Sequence, residues 1–319
     1  MKDYTYSVAR VRAREATLLT RQDIDQLLSA DSYESAVRIA RDRGYRARDN
    51  ADAEEIASAA RRDMWDFLDE LEAGAALRVL RLSVDYHNIK ASVKAVFSNT
   101  DAEDLLLDGG TVPKDLIYRS VKQRSYDELD PSLAKTCEDA MSLLLRTQDG
   151  QVCDILIDRA MLAAIEAAAA QSGDGFLARY AALMTDAANL KAAYRCARTG
   201  RSESFIENAI QPGGTLSAPQ LIAAASSGLD ALCDYLAATA CAGSAEAMRA
   251  GAAALEKWCA DETMRFMDGA RWESFTAAPI IAYYYAKSTE INAVRLILLG
   301  KRSRLDDNLI RERVPRTYV

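Results

Sequence analysis

The sequence predicts an all-α fold, and three observations carry that prediction. A short stretch recurs three times, as Asp85-Tyr86-His87-Asn88-Ile89-Lys90, Asp186-Ala187-Ala188-Asn189-Leu190-Lys191 and, more faintly, Lys287-Ser288-Thr289-Glu290-Ile291-Asn292. Asn88, Asn189 and Glu290 stand 101 residues apart in succession, and a constant period over nearly the whole chain is the mark of a repeated supersecondary unit. Alanine-rich runs such as 163–170 and 223–225 favour helix, because alanine has the best intrinsic propensity. No alternating Val, Ile or Thr run marks a strand, and six prolines are few for 319 residues. Units of this length are too long for a short solenoid repeat. They read as one all-α body, 1–319, with three pseudo-symmetric helical repeats at about 1–104, 105–204 and 205–319.

Taken in order, residues 4–19 carry Tyr4, Tyr6, Arg10, Arg12, Arg14 and Leu18-Leu19, and the arginines do not share one helical face. Two short helices are expected at Asp23 to Leu28 and Tyr33 to Ala40, the second ended by Gly44-Tyr45 with glycine just past the last turn. Ala53, Ile56, Ala60, Met64, Phe67 and Leu71 step by three and four along one amphipathic stripe. Gly74 interrupts that helix or is tolerated by it. In the next, Leu82, Tyr86, Ile89, Val93 and Val96 form one apolar row and Leu77, Leu80 and Val84 another, so it is expected to be largely buried.

The second repeat opens with Gly109-Gly110-Thr111-Val112-Pro113 and the third with Gly213-Gly214-Thr215-Leu216-Ser217, 104 residues on. Each reads as a turn with an N-cap. No Gly-Lys-Ser/Thr follows, so neither is a phosphate-binding loop. Ser125-Tyr126-Asp127 echoes Ser32-Tyr33-Glu34. Ile155–Ala170 and Phe176–Arg198, joined by Gly173-Asp174-Gly175, form a helical hairpin. In the third repeat helices are expected near Ala245–Phe266 and Pro279–Leu299, with proline at the first helical position. Leu305, Leu309 and Ile310 belong to a short closing helix limited by Pro315.

A net charge of −7 argues against a dedicated nucleic-acid binder. The charge is uneven: residues 1–50 carry +2, residues 287–319 carry +4 and the middle carries −13. Such asymmetry fits either solvated helix faces or a basic end that meets an acidic partner or a membrane-proximal surface. Lys301, Arg302, Arg304, Arg311, Arg313 and Arg316 are the candidate contacts. The six cysteines show no CxxC spacing and the single histidine, His87, is far from them, so neither zinc site nor disulfide framework is indicated. Reduced thiols in a cytosolic protein fit best. Asp3 and the early arginines leave no apolar core for a signal peptide, and the run Ala277–Ala286 is too short to cross a bilayer.

Asp85 and Asn88 lie three apart, as do Asp186 and Asn189, so each pair shares a helix face. Lys287 and Glu290 replace the pair in the third copy. With Lys90, Lys191 and Arg295 these positions read as inherited structural polar sites, because one copy has lost the acid that catalysis or metal binding requires. Asp306-Asp307-Asn308 starts like the Asp-rich magnesium motif of isoprenoid synthases, but Ile310 and Arg311 stand where a further aspartate belongs. It reads as a solvated helix start. No other nucleotide, metal or nucleophile signature is present, and neither catalytic residue nor cofactor site is expected.

Together these residues resemble one family. Tyr4-x-Tyr6 with Arg10-Val11-Arg12-Ala13 and Leu18-Leu19, Asp85 to Lys90, Asp186-x-x-Asn189-Leu190-Lys191, Glu290-Ile291-x-x-Val294-Arg295 with Gly300-Lys301, and Ile310-Arg311-Glu312-Arg313 with Tyr318 are similar to the C subunit of V-type (A-type) ATP synthases. The d subunit of the eukaryotic V-ATPase is its counterpart. Val314-Pro315 departs from the family, whose closing helix continues. The resemblance implies a funnel-like helical body in the central stalk, between the D and F shaft subunits and the membrane ring of proteolipid (c/K) protomers. It implies torque transmission without catalysis, at the cytoplasmic face of the membrane, with no nucleic acid, cofactor or small-molecule substrate. The coupled ion, proton or sodium, is set by residues of other subunits. A generic helical scaffold or adaptor is the alternative reading, and co-purification with shaft and ring proteins separates the two.

Overall fold

A computed structural model describes residues 4–48, 51–71 and 73–318. Asp3 and Val319 lie outside the described residues. All regular structure among them is helical. The first helix, α1 (Thr5–Glu15), buries Val8 and Val11 on one side, with Tyr4 just ahead. In α2 (Arg21–Leu28), the Thr20 hydroxyl accepts from the Asp23 N–H and the Asp23 carboxylate accepts from the Thr20 N–H, a reciprocal cap that satisfies two orphan donors. Ser32 caps α3 (Tyr33–Asp42), which ends where Gly44 adopts φ +92° and the Tyr45 N–H returns to the Ala40 carbonyl. Asp52 and Glu55 form a second reciprocal cap on α4 (Ala53–Asp69). Gly74 does not continue that helix; it begins the next, α5 (Gly74–Ser98). Helix α5 is buried nearly all round, from Leu77 through Tyr86 to Val93.

After a 3-10 turn at Glu103–Leu105 come α6 (Lys114–Gln123) and α7 (Pro131–Thr147). Helix α7 is not among the elements expected from the sequence, although Asp130 caps it and Pro131 stands at its start. Ser125, the echo of Ser32, is no cap. The hairpin of α8 (Gly150–Ser172) and α9 (Gly175–Thr199) is as expected, each helix capped by an aspartate, Asp149 or Asp174. Then follow α10 (Glu203–Ala209), α11 (Ala218–Ser226) and α12 (Leu229–Ala237).

The helix expected near Ala245–Phe266 is two, α13 (Gly243–Ala250) and α14 (Ala252–Asp268). Gly251 separates them at φ +125°, a conformation open to glycine. Its N–H makes the last bond of α13, to the Ala247 carbonyl, and its carbonyl accepts the first bond of α14, from the Leu255 N–H, so one helix ends and the next begins at this residue. A 3-10 turn at Gly269–Trp272 leads to α15 (Ala278–Arg302), with proline in its first turn, and α16 (Asp307–Arg313) closes the chain. Helix α16 stops at Arg313 because Val314 is extended, the conformation that a following proline favours.

The chain divides into two compact units, residues 1–74 with 243–319, and residues 75–242. In the first, α15 packs on α1 to α4, α14 and α16, so both ends of the chain share one core. In the second, α9 packs on α8 and on α10 to α12. The chain passes from the first unit to the second at the start of α5 and returns to the first between α12 and α13.

Candidate functional site

The recurring polar pairs of α5 and α9 perform the same chemical task. Asp85, fully buried, accepts from the Thr111 N–H (3.1 Å), the Thr111 hydroxyl (2.5 Å) and the Val112 N–H (3.3 Å). Asp186 accepts from the Thr215 N–H (2.9 Å), its hydroxyl (2.6 Å) and the Leu216 N–H (3.2 Å). One turn on, the Asn88 side chain donates to the Leu107 carbonyl (2.9 Å) and accepts from the Leu107 N–H (2.8 Å). Asn189 treats Gln211 the same way, at 2.7 and 2.8 Å. A primary amide carries both a donor and an acceptor, so it pairs with both polar groups of one backbone residue.

The Gly-Gly-Thr turns are therefore not N-caps, as the sequence suggested. Pro113 and Ser217 occupy the N-cap positions without a side-chain bond, and the threonines face the aspartates instead. The glycines have a specific reason. A Cβ on Gly110 would come within 2.2 Å of Asp85 Oδ1, and one on Gly214 within 2.1 Å of Asp186 Oδ1. The separation of clamp and turn grows from 26 to 29 residues between copies, and that of Asn and its partner from 19 to 22. Three residues inserted in the connection thus explain why the glycines recur at 104 while the helices recur at 101.

In the third copy Glu290 Oε2 accepts from the Leu19 N–H (2.6 Å), while Oε1 accepts from the Tyr45 hydroxyl (2.7 Å) and from Lys287 Nζ (2.5 Å). Lys287 Nζ also lies 4.8 Å over the Tyr45 ring. A carboxylate only accepts, so donors replace the carbonyl that an asparagine would bond. Leu19 leads into α2 as Leu107 leads into α6 and Gln211 towards α11. Helices α5 and α9 each hold the loop that follows them, and α15 holds the loop that leads into α2. Burial raises the Tyr45 hydroxyl well above its ordinary range, helped by the Glu290 charge. Burial also raises Asp85, against the Thr111 and Val112 hydrogen bonds and the Arg81 charge.

The remaining residues singled out from the sequence bind elsewhere. Lys90 pairs with Asp158 at 2.6 Å, Arg295 pairs with Glu54, and Lys191 has no ion pair among the described residues. His87 Nε2 lies 3.0 Å from the Leu105 carbonyl, a structural contact. Asp306 caps α16, accepting from the Asn308 N–H, as a helix start should. Of the basic tail, Lys301 pairs with Asp307 (2.6 Å), Arg311 with Asp25, and Arg316 with Asp268 (2.9 Å). Arg302, Arg304 and Arg313 are exposed without an ion pair among the described residues.

One junction has no counterpart in the sequence patterns. Arg12 Nη2 donates to the carbonyls of Ala270 (2.9 Å), Arg271 (2.8 Å) and Glu273 (3.2 Å), and Nη1 donates to Glu15 (2.7 Å). Glu15 also accepts from the Tyr318 hydroxyl at 3.3 Å, and the Arg271 guanidinium lies 4.4 Å over the Tyr318 ring. Residues from both ends of the chain thus fasten the turn before α15. Because these partners are about 260 and 300 residues apart, no local pattern announces them.

Among the described residues no group of three or more His, Cys, Asp or Glu is placed to hold a metal ion. No helix among them is long and apolar enough to cross a membrane. Residues 7–313 match the family described as ATP synthase (C/AC39) subunit. The chain is also 22% identical over 324 residues to the C subunit of the V-type sodium ATPase of Enterococcus hirae, covering 97% of each chain.

Proposed function

We propose that this chain, which belongs to the ATP synthase (C/AC39) subunit family, is the central-stalk component that couples the shaft of a V-type ATPase to its membrane ring. The observation that carries the proposal is the family match over residues 7–313, with a relative aligned end to end. In this reading the protein contacts the D and F shaft subunits on one side and the proteolipid ring on the other, at the cytoplasmic face of the membrane. It transmits torque for ion transport and catalyses nothing itself. The three repeats, 1–104, 105–204 and 205–319, are the proposed frame for that task.

The chemistry of the polar sites supports a mechanical role. Asp85, Asn88, Asp186, Asn189 and Glu290 all hold backbone or neighbouring side chains, and a buried group so engaged is a fastener. Clamps of this kind suit a part that bears load, since breaking one leaves an unsatisfied buried polar group. The test is co-expression with the shaft pair and the ring: the protein should purify with both. A chain that co-purifies with neither, while remaining folded, overturns the proposal. Titration calorimetry with ATP and magnesium should show no micromolar site.

A further inference from the structure

Four cations from four separate segments line one cleft of about 360 Å³: Arg21 on α2, Lys257 on α14, Arg311 on α16 and Arg316 beyond it. All belong to the same compact unit. One carboxylate, Asp25, lines the cleft with them and pairs with Arg311. The other counter-charges lie outside the lining. Lys257 pairs with Asp261 at 3.0 Å, the Arg316 N–H donates to Asp261 at 3.1 Å, and the Arg316 guanidinium pairs with Asp268 at 2.9 Å. Arg21 has no ion pair among the described residues. Half-exposed Val314 and Pro315 supply apolar lining between the charges, over buried Ile24 and Leu28.

The cation pairs are half exposed, with Arg311 at 49% and Arg316 at 52%. Solvent-exposed ion pairs of this kind are weak, so incoming carboxylates replace them at little cost. We propose that this cleft receives an acidic peptide segment of a partner protein, whose carboxylates pair with Arg21 and Lys257 beside an apolar side chain seated over Val314 and Pro315. Every cation in the cleft that already has a partner has a carboxylate, and the apolar lining suits a side chain more than a bare phosphate. The inference rests on the reading of this chain as a stalk component that docks on other proteins. It adds two residues, Arg21 and Lys257, that lie far from the basic tail in sequence.

The test uses the full chain and a labelled seven-residue peptide of glutamate with a central leucine, followed by fluorescence anisotropy at low and high salt. Arg21→Glu with Lys257→Glu should weaken binding about tenfold or more, as loss of two steered charge contacts requires. Arg119→Glu with Lys135→Glu, a charge-matched pair in the other compact unit, should leave it within about twofold. The milder Arg21→Gln, Lys257→Gln variant serves if the reversal unfolds the chain. No peptide binding, equal loss in both reversals, or binding of tripolyphosphate with none of the peptide each overturns the proposal. Shaft and ring co-purification of the same variants separates the two readings. If the wild type fails to co-purify, the stalk role fails; if the cleft variant co-purifies as well as the wild type, the cleft is not the docking site.

Discussion

Glu290 is a carboxylate where its counterparts Asn88 and Asn189 are amides, and its three donors come from Leu19, Tyr45 and Lys287. Replacing it with alanine should cost about 3–5 kcal/mol, because Lys287 is left without its buried partner. Glu290→Gln keeps the shape and an acceptor, and should cost about 1–3 kcal/mol. Urea denaturation at neutral pH ranks the two; equal, negligible losses would show that the clamp carries no stability. Asp85 tests the sign of burial. Its folded pKa lies above the ordinary 3.8, so the folded state holds a proton that the unfolded chain releases. That contribution is present below 3.8 and is lost as the pH rises through the folded value. Wild type should therefore lose stability relative to Asp85→Asn as the pH climbs through that window, then run parallel to it. At the thiols, burial pushes Cys137 up to about 12 and Cys153 to about 11. Iodoacetamide at pH 8 should label half-buried Cys241 and leave those two unmodified until the protein unfolds, since the thiolate is the reactive form.

Elements meet through backbone held by side chains. Gly110 and Gly214 admit the clamping aspartates so closely that any Cβ collides with them. Gly214→Ala should destabilise the chain by about 1–3 kcal/mol, the usual cost of overpacking, and hydrogen exchange should quicken at Thr215 and Leu216. Unchanged exchange would mean that the turn is not held by Asp186. The turn before α15 depends in the same way on Arg12, whose guanidinium collects three carbonyls. That turn presents Trp272 at 88% exposure and Phe275 at 67%. Arg12→Ala should make the turn the first site of chymotrypsin cleavage, because a mobile exposed aromatic segment is what the protease requires.

On the scale of the whole molecule, one compact unit is assembled from both chain ends. Helix α15 packs on α1 to α4, and α16 reaches α2 through Arg311 and Asp25. Removing residues from 307 onward should therefore speed hydrogen exchange in α2 while leaving α6 to α12 protected as before. Equal loosening of both sets would show that the C-terminal segment acts globally.

Most helices, the helical hairpin and the family were legible in the sequence because each depends on residues close together: stripes at three and four, caps beside the helix they start, motifs of six residues. The recurrence of Asp85, Asn88, Asp186 and Asn189 at 101 residues drew attention to these positions. Their work was not legible, since a spacing of three on a helix says which way a side chain faces and nothing of what meets it. Only the tertiary structure matched each aspartate to a Gly-Gly-Thr turn 26 or 29 residues away, and Glu290 to Leu19 and Tyr45 across 271 and 245 residues. It also decided that residues 245–266 form two helices parted at Gly251, because a glycine is tolerated inside many helices and its place in the sequence does not say whether it adopts the positive φ that ends one. Local periodicity determines which segments are helices and which faces are apolar; which polar groups close on one another depends on the path of the whole chain, and no short stretch encodes it.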